Sequence, residues 1–229
     1  MMLTPTNRLA HVDDLKWIRR KNRPASSFDE VIRSVDLFSG CGGLTLGVEE
    51  ACRRMGMGHS VEMASEINPG IFEVFKKNFN PKLQLEGDIL SHFDGGLKDT
   101  KLTEKESSLI ERNPDINEID ILVGGPPCQG HSDLNNHSRR EDSRNSLYFS
   151  MVRAARVLRP RTVIIENVQT VTRSKERVVQ ISKETLESMG YKVDDAVLKA
   201  EEFGVPQLRR RHFLVASKGE GPDFSTLDE

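Results

Sequence analysis

From Val31 onward, short apolar runs alternate with longer stretches in which hydrophobic residues recur at helical spacing. Runs near 32–38, 60–66, 119–124, 162–166 and 211–217 are rich in branched residues and end in glycine, proline or polar positions, which predicts buried strands. A weaker strand is expected at 192–198, and Leu83-Gln84-Leu85 is weakly strand-like. The intervening periodicity predicts helices near 43–55, 69–78, 103–112, 145–158 and 175–189. Such alternation with short connections implies a mostly parallel sheet covered on both faces, a doubly wound, Rossmann-like α/β domain. Residues 31–229 are expected to form this one domain, and residues 1–30 a basic arm ahead of it.

Composition narrows the picture in two ways. The 229 residues suit one sizeable α/β domain, and a formal charge of −2 argues against a generic polyanion binder. Nucleic-acid contact would therefore come from local clusters. One is Lys16, Arg19, Arg20, Lys21 and Arg23 around Trp17, equally readable as a solvated arm; another is Arg139, Arg140 and Arg144 in the polar stretch 129–144. The three cysteines, Cys41, Cys52 and Cys128, form no CxxC pair, so neither a disulfide framework nor a zinc site is indicated and no metal is expected. No run has membrane-spanning length and the N-terminus does not read as a secretory signal, which predicts a soluble, cytoplasmic protein.

Candidate chemistry gathers where strands end. The apolar run Ile119-Asp120-Ile121-Leu122-Val123 leads into Gly124-Gly125-Pro126-Pro127-Cys128-Gln129-Gly130-His131-Ser132. That places Cys128 on a loop at the ligand-collecting edge of an α/β sheet, as a candidate nucleophile. A buried thiol acting as a small hydrophobe would give the same local pattern. Val35-Asp36-Leu37-Phe38-Ser39-Gly40-Cys41-Gly42-Gly43-Leu44 is a glycine-rich turn between strand and helix whose spacing is not GxGxxG, which disfavours a dinucleotide pyrophosphate. Glu66 ends the next strand and could accept from both hydroxyls of a ribose, or serve as an ordinary surface carboxylate. Asp88 could accept from an adenine amino group or simply stabilise a turn. Thr162-Val163-Ile164-Ile165 delivers Glu166-Asn167-Val168 to the same edge; partial withdrawal from water favours the acid form needed to give a proton to a heterocyclic nitrogen. In Phe203-Gly204-Val205-Pro206-Gln207-Leu208-Arg209-Arg210-Arg211, strand periodicity puts Arg209 and Arg211 on one face and Arg210 on the other. His131 and His137 lack metal-ligand spacing and read as surface histidines.

The ordered set DLFSGCGG, SEIN, GDI, GGPPCQGHS, ENV and PQLRRR resembles the cytosine-C5 DNA methyltransferases, from about Ser34 to about Ser217. The resemblance implies an S-adenosylmethionine pocket at Phe38, Gly40, Gly42, Gly43, Leu44, Glu66, Ile67, Asp88, Ile89, Pro127 and Leu147. It implies Cys128 as nucleophile, with Glu166, Arg209 and Arg211 around the target base. The chemistry fits these types. Cytosine C5 is a weak nucleophile, so a thiolate adds first to C6 and makes C5 enamine-like, while Glu166 at N3 stabilises the charge that addition creates. A base within a duplex must be flipped out to be reached, so double-stranded DNA is the implied substrate, with 129–144 closing behind it.

Asn68 and His131 depart from the family, which more often has an acid and an aromatic there. Complete members continue past the arginine motif into a target-recognition region and two further motifs. This chain ends at Glu229 without them. Since some members are split across two polypeptides, the resemblance implies a second chain carrying the base-reading region. Two alternatives remain open at this level: an inactive remnant that binds S-adenosylmethionine or DNA, and a methyltransferase acting on transfer RNA. A nicotinamide-dependent oxidoreductase is disfavoured by the glycine spacing.

Overall fold

The computed structural model describes residues 28–127, 141–173 and 177–228. Seven strands, β1 (Val31–Leu37), β2 (Gly58–Glu66), β3 (Leu83–Glu86), β4 (Ile121–Gly124), β5 (Thr162–Val168), β6 (Lys192–Lys199) and β7 (Arg210–Ser217), form one sheet in the order β3-β2-β1-β4-β5-β7-β6. The first five of that order are parallel neighbours; β7 pairs antiparallel with both β5 and β6. Five α-helices connect them: α1 (Gly43–Arg54), α2 (Pro69–Phe79), α3 (Glu104–Arg112), α4 (Glu141–Leu158) and α5 (Val178–Ser188). The doubly wound α/β expectation thus holds, with one reversed strand. Sequence and structure differ mainly at ends: α4 starts four residues before the expected 145, and the weak strand near 192 is a complete edge strand.

Strand order reverses between β1 and β4, since the chain runs outward from β1 to β2 and β3 and then returns to add β4 on the other side. Such a switch point opens a crevice at the carboxyl ends of the strands. The ends of β1, β2, β4 and β5 lie there, and the reversal of β7 brings its beginning, with Arg210 and Arg211, to the same edge.

The larger core lies on the face covered by α4 and α5, where Val35, Leu37, Leu122, Ile165 and Leu214 are fully buried against Met151, Leu158 and Leu186. A smaller cluster of Val61, Ala64, Phe72 and Phe75, with Phe79 packed on it, seats α2 on the opposite face. Arg153 of α4 is buried within the larger core side and is fully employed. It donates to Glu106 through Nε at 2.8 Å and to the carbonyls of Gly96, Asp99 and Lys101 at 3.2, 2.5 and 2.8 Å. Glu106 also accepts from the backbone N–H groups of Gly95 at 3.0 Å and Thr103 at 2.9 Å, so this pair fastens the long connection between β3 and α3. A Cβ on Gly95 would stand 2.2 Å from the guanidinium, which is why the chain has glycine there.

Burial opposes ionisation of Glu106, but Arg153 and the two backbone donors outweigh it and hold the carboxyl below its usual range. A depressed folded-state value means the stabilisation is complete above the unfolded pKa and is lost as pH falls through the folded one. Glu106→Ala, which strands a buried guanidinium, is expected to lower unfolding free energy by about 3–5 kcal/mol in urea titrations at neutral pH. The deficit of Glu106→Gln relative to wild type should shrink as the solution is made acidic.

Candidate functional site

The turn after β1 is built on left-handed backbone. Phe38, Gly40 and Gly42 have φ of 60°, 53° and 94°. Gly42 has no alternative, since a Cβ there would sit 2.1 Å from the Phe79 ring. At Gly40 and Gly43, by contrast, a Cβ would meet nothing within 4 Å, so the turn faces open space in which a ligand can approach backbone. Glu66 ties the turn to the next strand end: Oε2 accepts from Gly40 N and Oε1 from Asn68 N, both at 2.9 Å. Asn68 itself caps α2 by accepting from Ile71 N at 3.1 Å.

Glu66 stands opposite Glu86 in the β2–β3 register, which puts Asp88 just beyond the neighbouring strand end. Asp88 is exposed and accepts from Leu90 N at 3.0 Å. Ile67 projects into solvent at 70 % exposure, whereas Ile89 is buried in the larger core and Leu147 packs against it.

The other wall belongs to β5 and β7. Arg211 Nε lies 2.9 Å from Glu166 Oε1, and an Arg209 terminal nitrogen lies 3.8 Å from the same oxygen. Next to them, Asn167 is buried and donates from Nδ2 to the Pro126 carbonyl at 3.0 Å, while its Oδ1 accepts from Val168 N at 2.8 Å. The loop leaving β4 is thereby fastened to β5 two residues before Cys128. Pro127 is the last described residue of that loop and is exposed; Cys128, with 129–140, lies outside the described residues. The basic arm over 1–27 and the arginines at 139 and 140 lie outside them too.

A cavity of about 590 Å³ joins the two walls. Phe38, Gly40, Gly43 and Leu44 line it from the turn, and Glu166, Arg209 and Arg211 from the opposite side. Gly42, Glu66, Ile67, Asp88, Ile89, Pro127 and Leu147 are not in that lining. Sequence reasoning missed Phe203 and Leu198, which close the cavity from the β6 side. Only the pairing of β6 to β7 brings them near, and no local motif announces it. It also missed the role of Asn167, and Asp36 beneath the turn, which accepts a hydrogen bond from Thr45 and is fully buried. Among the described residues, no group of three or more His, Cys, Asp or Glu side chains could hold a metal ion.

A glycine turn tied to an acidic strand end, on a sheet of this order, defines the Rossmann-like fold of S-adenosylmethionine-dependent methyltransferases. The family model for C-5 cytosine-specific DNA methylase matches residues 32–225, and the chain belongs to that family. It is 41 % identical over 217 residues to the type II methyltransferase M1.BsuMI of Bacillus subtilis, covering 94 % of this chain and 50 % of that one. It is 33 % identical over 194 residues to DNA (cytosine-5)-methyltransferase 1 of Gallus gallus, covering 81 % of this chain and 12 % of the other. Among solved structures, a prophage-encoded DNA modification methyltransferase of E. coli aligns with a TM-score of 0.61 at 29 % identity, over 82 % of this chain and 47 % of that one. The chain therefore spans about half the length, or less, of the relatives it matches.

Burial raises the Asp36 carboxyl to about 7, with the Thr45 hydrogen bond working against it and the Glu66 charge adding to it. A raised folded-state value in an acid means that the folded protein holds its proton longer than the unfolded chain, so stability falls as pH rises from the unfolded value towards about 7. Asp36→Asn keeps an acceptor for Thr45 and removes the charge. Relative to wild type, its unfolding free energy is expected to improve steadily between about pH 4 and pH 7 and then level off. Denaturant titrations at stepped pH read this directly.

Proposed function

We propose that this chain is the catalytic half of a DNA cytosine-5-methyltransferase that uses S-adenosylmethionine. The observation that carries the reading is the cavity in which a carboxylate gripped by two arginines faces a glycine turn, beside a loop anchored by Asn167. The residues suit the cofactor. The open backbone at Gly40 and Gly43 leaves room for it, and Glu66, though bonded to two N–H groups, retains lone pairs for ribose hydroxyls. Asp88 offers a further exposed acceptor beside it. Bound there, S-adenosylmethionine supplies an electrophilic methyl group on a sulfonium sulfur.

Each side chain then has a task. Cys128, as thiolate, forms the bond to cytosine C6, and Asn167 keeps the loop that carries it in register with β5. Glu166 holds a proton at N3 and so offsets the negative charge that addition pushes into the ring. Arg211 fixes the orientation of Glu166, and Arg209 has reach left to meet the base oxygen. Loss of the C5 proton and of the thiolate regenerates the free enzyme. In this reading a second polypeptide supplies the base-reading region. A soluble, intracellular setting suits this reading; no helix of the described residues is long and apolar enough to cross a membrane.

Labelled methyl transfer from S-adenosylmethionine to mixed-sequence duplex DNA, by the chain with and without the other half of a relative, tests the reading. Incorporation at cytosine C5 is expected in the mixture. Cys128→Ser should abolish it while cofactor affinity stays within about twofold, because the cofactor residues, Pro127 apart, lie on other loops. Glu66→Ala should instead weaken cofactor binding by about 1–3 kcal/mol through lost charged hydrogen bonds. Transfer that survives Cys128→Ser, or transfer to RNA in place of DNA, would overturn the proposal.

A further inference from the structure

Towards the site edge of the sheet, the buried residues of β5 run Val163, Ile165, Asn167, and those of β7 run Ala216, Leu214, His212. In each strand the apolar run stops at the site end, and a polar residue takes the last buried place. The antiparallel register sets these two polar residues directly opposite one another, with Ile165 against Leu214 and Val163 against Ala216 behind them. An apolar side chain would fill either place without desolvating a polar group, so two buried polar residues facing each other there call for a reason.

Hydrogen bonds extend the pair into a row across the sheet. On one side, Asn167 Nδ2 donates to the Pro126 carbonyl at 3.0 Å. On the other, His212 Nε2 lies 2.9 Å from Asp195 Oδ2 on β6, and Lys183 of α5 donates to Asp195 Oδ1. Asp195 stands opposite Leu214 in the β6–β7 register and so shares the face of His212. Burial works against its ionisation, but Lys183 and His212 outweigh burial and hold the carboxyl below its usual range. An ionised carboxylate can only accept, so Nε2 carries the ring proton in this pair. Nδ1 has no hydrogen-bond partner among the described residues, which leaves the Asp195 bond to fix the plane of the ring.

Resting on the catalytic reading proposed above, we infer that His212 is a positioning residue for methyl transfer: pinned by Asp195, its ring backs the Asn167 amide, which holds the loop leaving β4. Directly opposed residues of an antiparallel pair have Cβ atoms about 4.5–5.5 Å apart, so a ring there bears on the side chain across from it. The terminal torsions of Asn and His are broad, and neither plane is fixed by its own rotamer. The carboxylate removes that freedom from the ring. The ring in turn fills the space into which the Asn167 amide would swing away from Pro126. His212 touches no reacting atom; its effect passes through Asn167 to the carbonyl two residues before Cys128. Asp195 and Lys183 anchor the far end of the row, where β6 edges the sheet.

The test is a double-mutant cycle between His212→Leu and Asn167→Ala. Leucine removes the ring and its bond to Asp195 but leaves Asp195 its Lys183 partner, while His212→Gln restores a nitrogen in the place of Nε2. One readout is methyl transfer to duplex DNA by the full chain mixed with the other half of a relative. The second, on the full chain alone, is water exchange of the Asn167 side-chain amide in heteronuclear NMR spectra, assigned by its absence from Asn167→Ala. His212→Leu should lower kcat at least about tenfold while KM for DNA and S-adenosylmethionine affinity stay within about twofold. It should speed Asn167 amide exchange at least about tenfold, and His212→Gln should bring both quantities back to within about threefold of wild type. On the Asn167→Ala background, His212→Leu should cost less than about twofold more, because the route through the amide is already cut.

Equal losses on the two backgrounds overturn the inference. So does an Asn167 amide that exchanges in His212→Leu as it does in wild type, or a kcat that simply follows the melting temperature across the Leu and Gln variants, since His212 would then be a core residue and nothing more. Methyl transfer that His212→Leu leaves intact refutes the positioning role and spares the methyltransferase reading. A mixture that transfers no methyl group, with Asn167 exchange sped by leucine and slowed again by glutamine, refutes that reading and keeps the brace on Asn167.

Discussion

The reversed strand β7 is the constraint on which the site depends. It is paired residue for residue with β5 from Thr162 opposite Ser217 to Val168 opposite Arg211, so Arg211 can only emerge beside the end of β5. There it meets Glu166, which β5 carries two residues before its end. A parallel seventh strand would begin at the opposite edge of the sheet and leave Glu166 without its guanidinium partner. The same reversal leads the preceding stretch, with Arg209 and Phe203, over the mouth of the cavity. One antiparallel register therefore assembles an entire wall from residues about 45 positions away in sequence.

The facing wall is assembled by short-range means. Left-handed backbone at Phe38, Gly40 and Gly42 turns the chain out of β1 and straight into α1. The Glu66 carboxylate then fixes the turn by accepting from Gly40 N, a charged bond of the kind worth about 1.5–3 kcal/mol. The two walls thus fail in different ways. A loss of the β5–β7 register separates Glu166 from Arg211, whereas a loss of the Glu66 tie loosens only the glycine turn.

Much of this was legible in the sequence because its carriers are local. Glycines at a strand end, an acid closing the next strand, and proline pairs before a cysteine all announce themselves within ten residues, and the strand-helix alternation fixes which edge they share. The period of two correctly put Arg209 and Arg211 on one face, and both line the cavity. What was not legible is what crosses the sheet. Nothing near Asn167 says that its amide will hold the carbonyl of Pro126, and nothing near Phe203 says that it will close a cavity opposite Phe38. Arg153 is the clearest case. A charged residue within an amphipathic helix reads as solvent-facing, and only the carboxylate of Glu106 and three loop carbonyls make its burial tolerable.

Buried polar groups also mark which parts of the molecule are finished. Under α4 and α5 the sheet is sealed, and it supports polar side chains such as Asn167, and His212 bonded at 2.9 Å to Asp195, at full or nearly full burial. Across the sheet, the same strands present Ile164 and Phe213 to a groove with no helix in it among the described residues. A sheet dry on one side and open on the other keeps its ladder hydrogen bonds. Its apolar face, however, gains the usual hydrophobic contribution only when it is covered. Leu44 and Phe213 belong at once to that face and to the cavity that holds Glu166, Arg209 and Arg211. Glu166, Arg209 and Arg211 are set by the β5–β7 register, while Leu44 and Phe213 form the wall that separates their cavity from the groove.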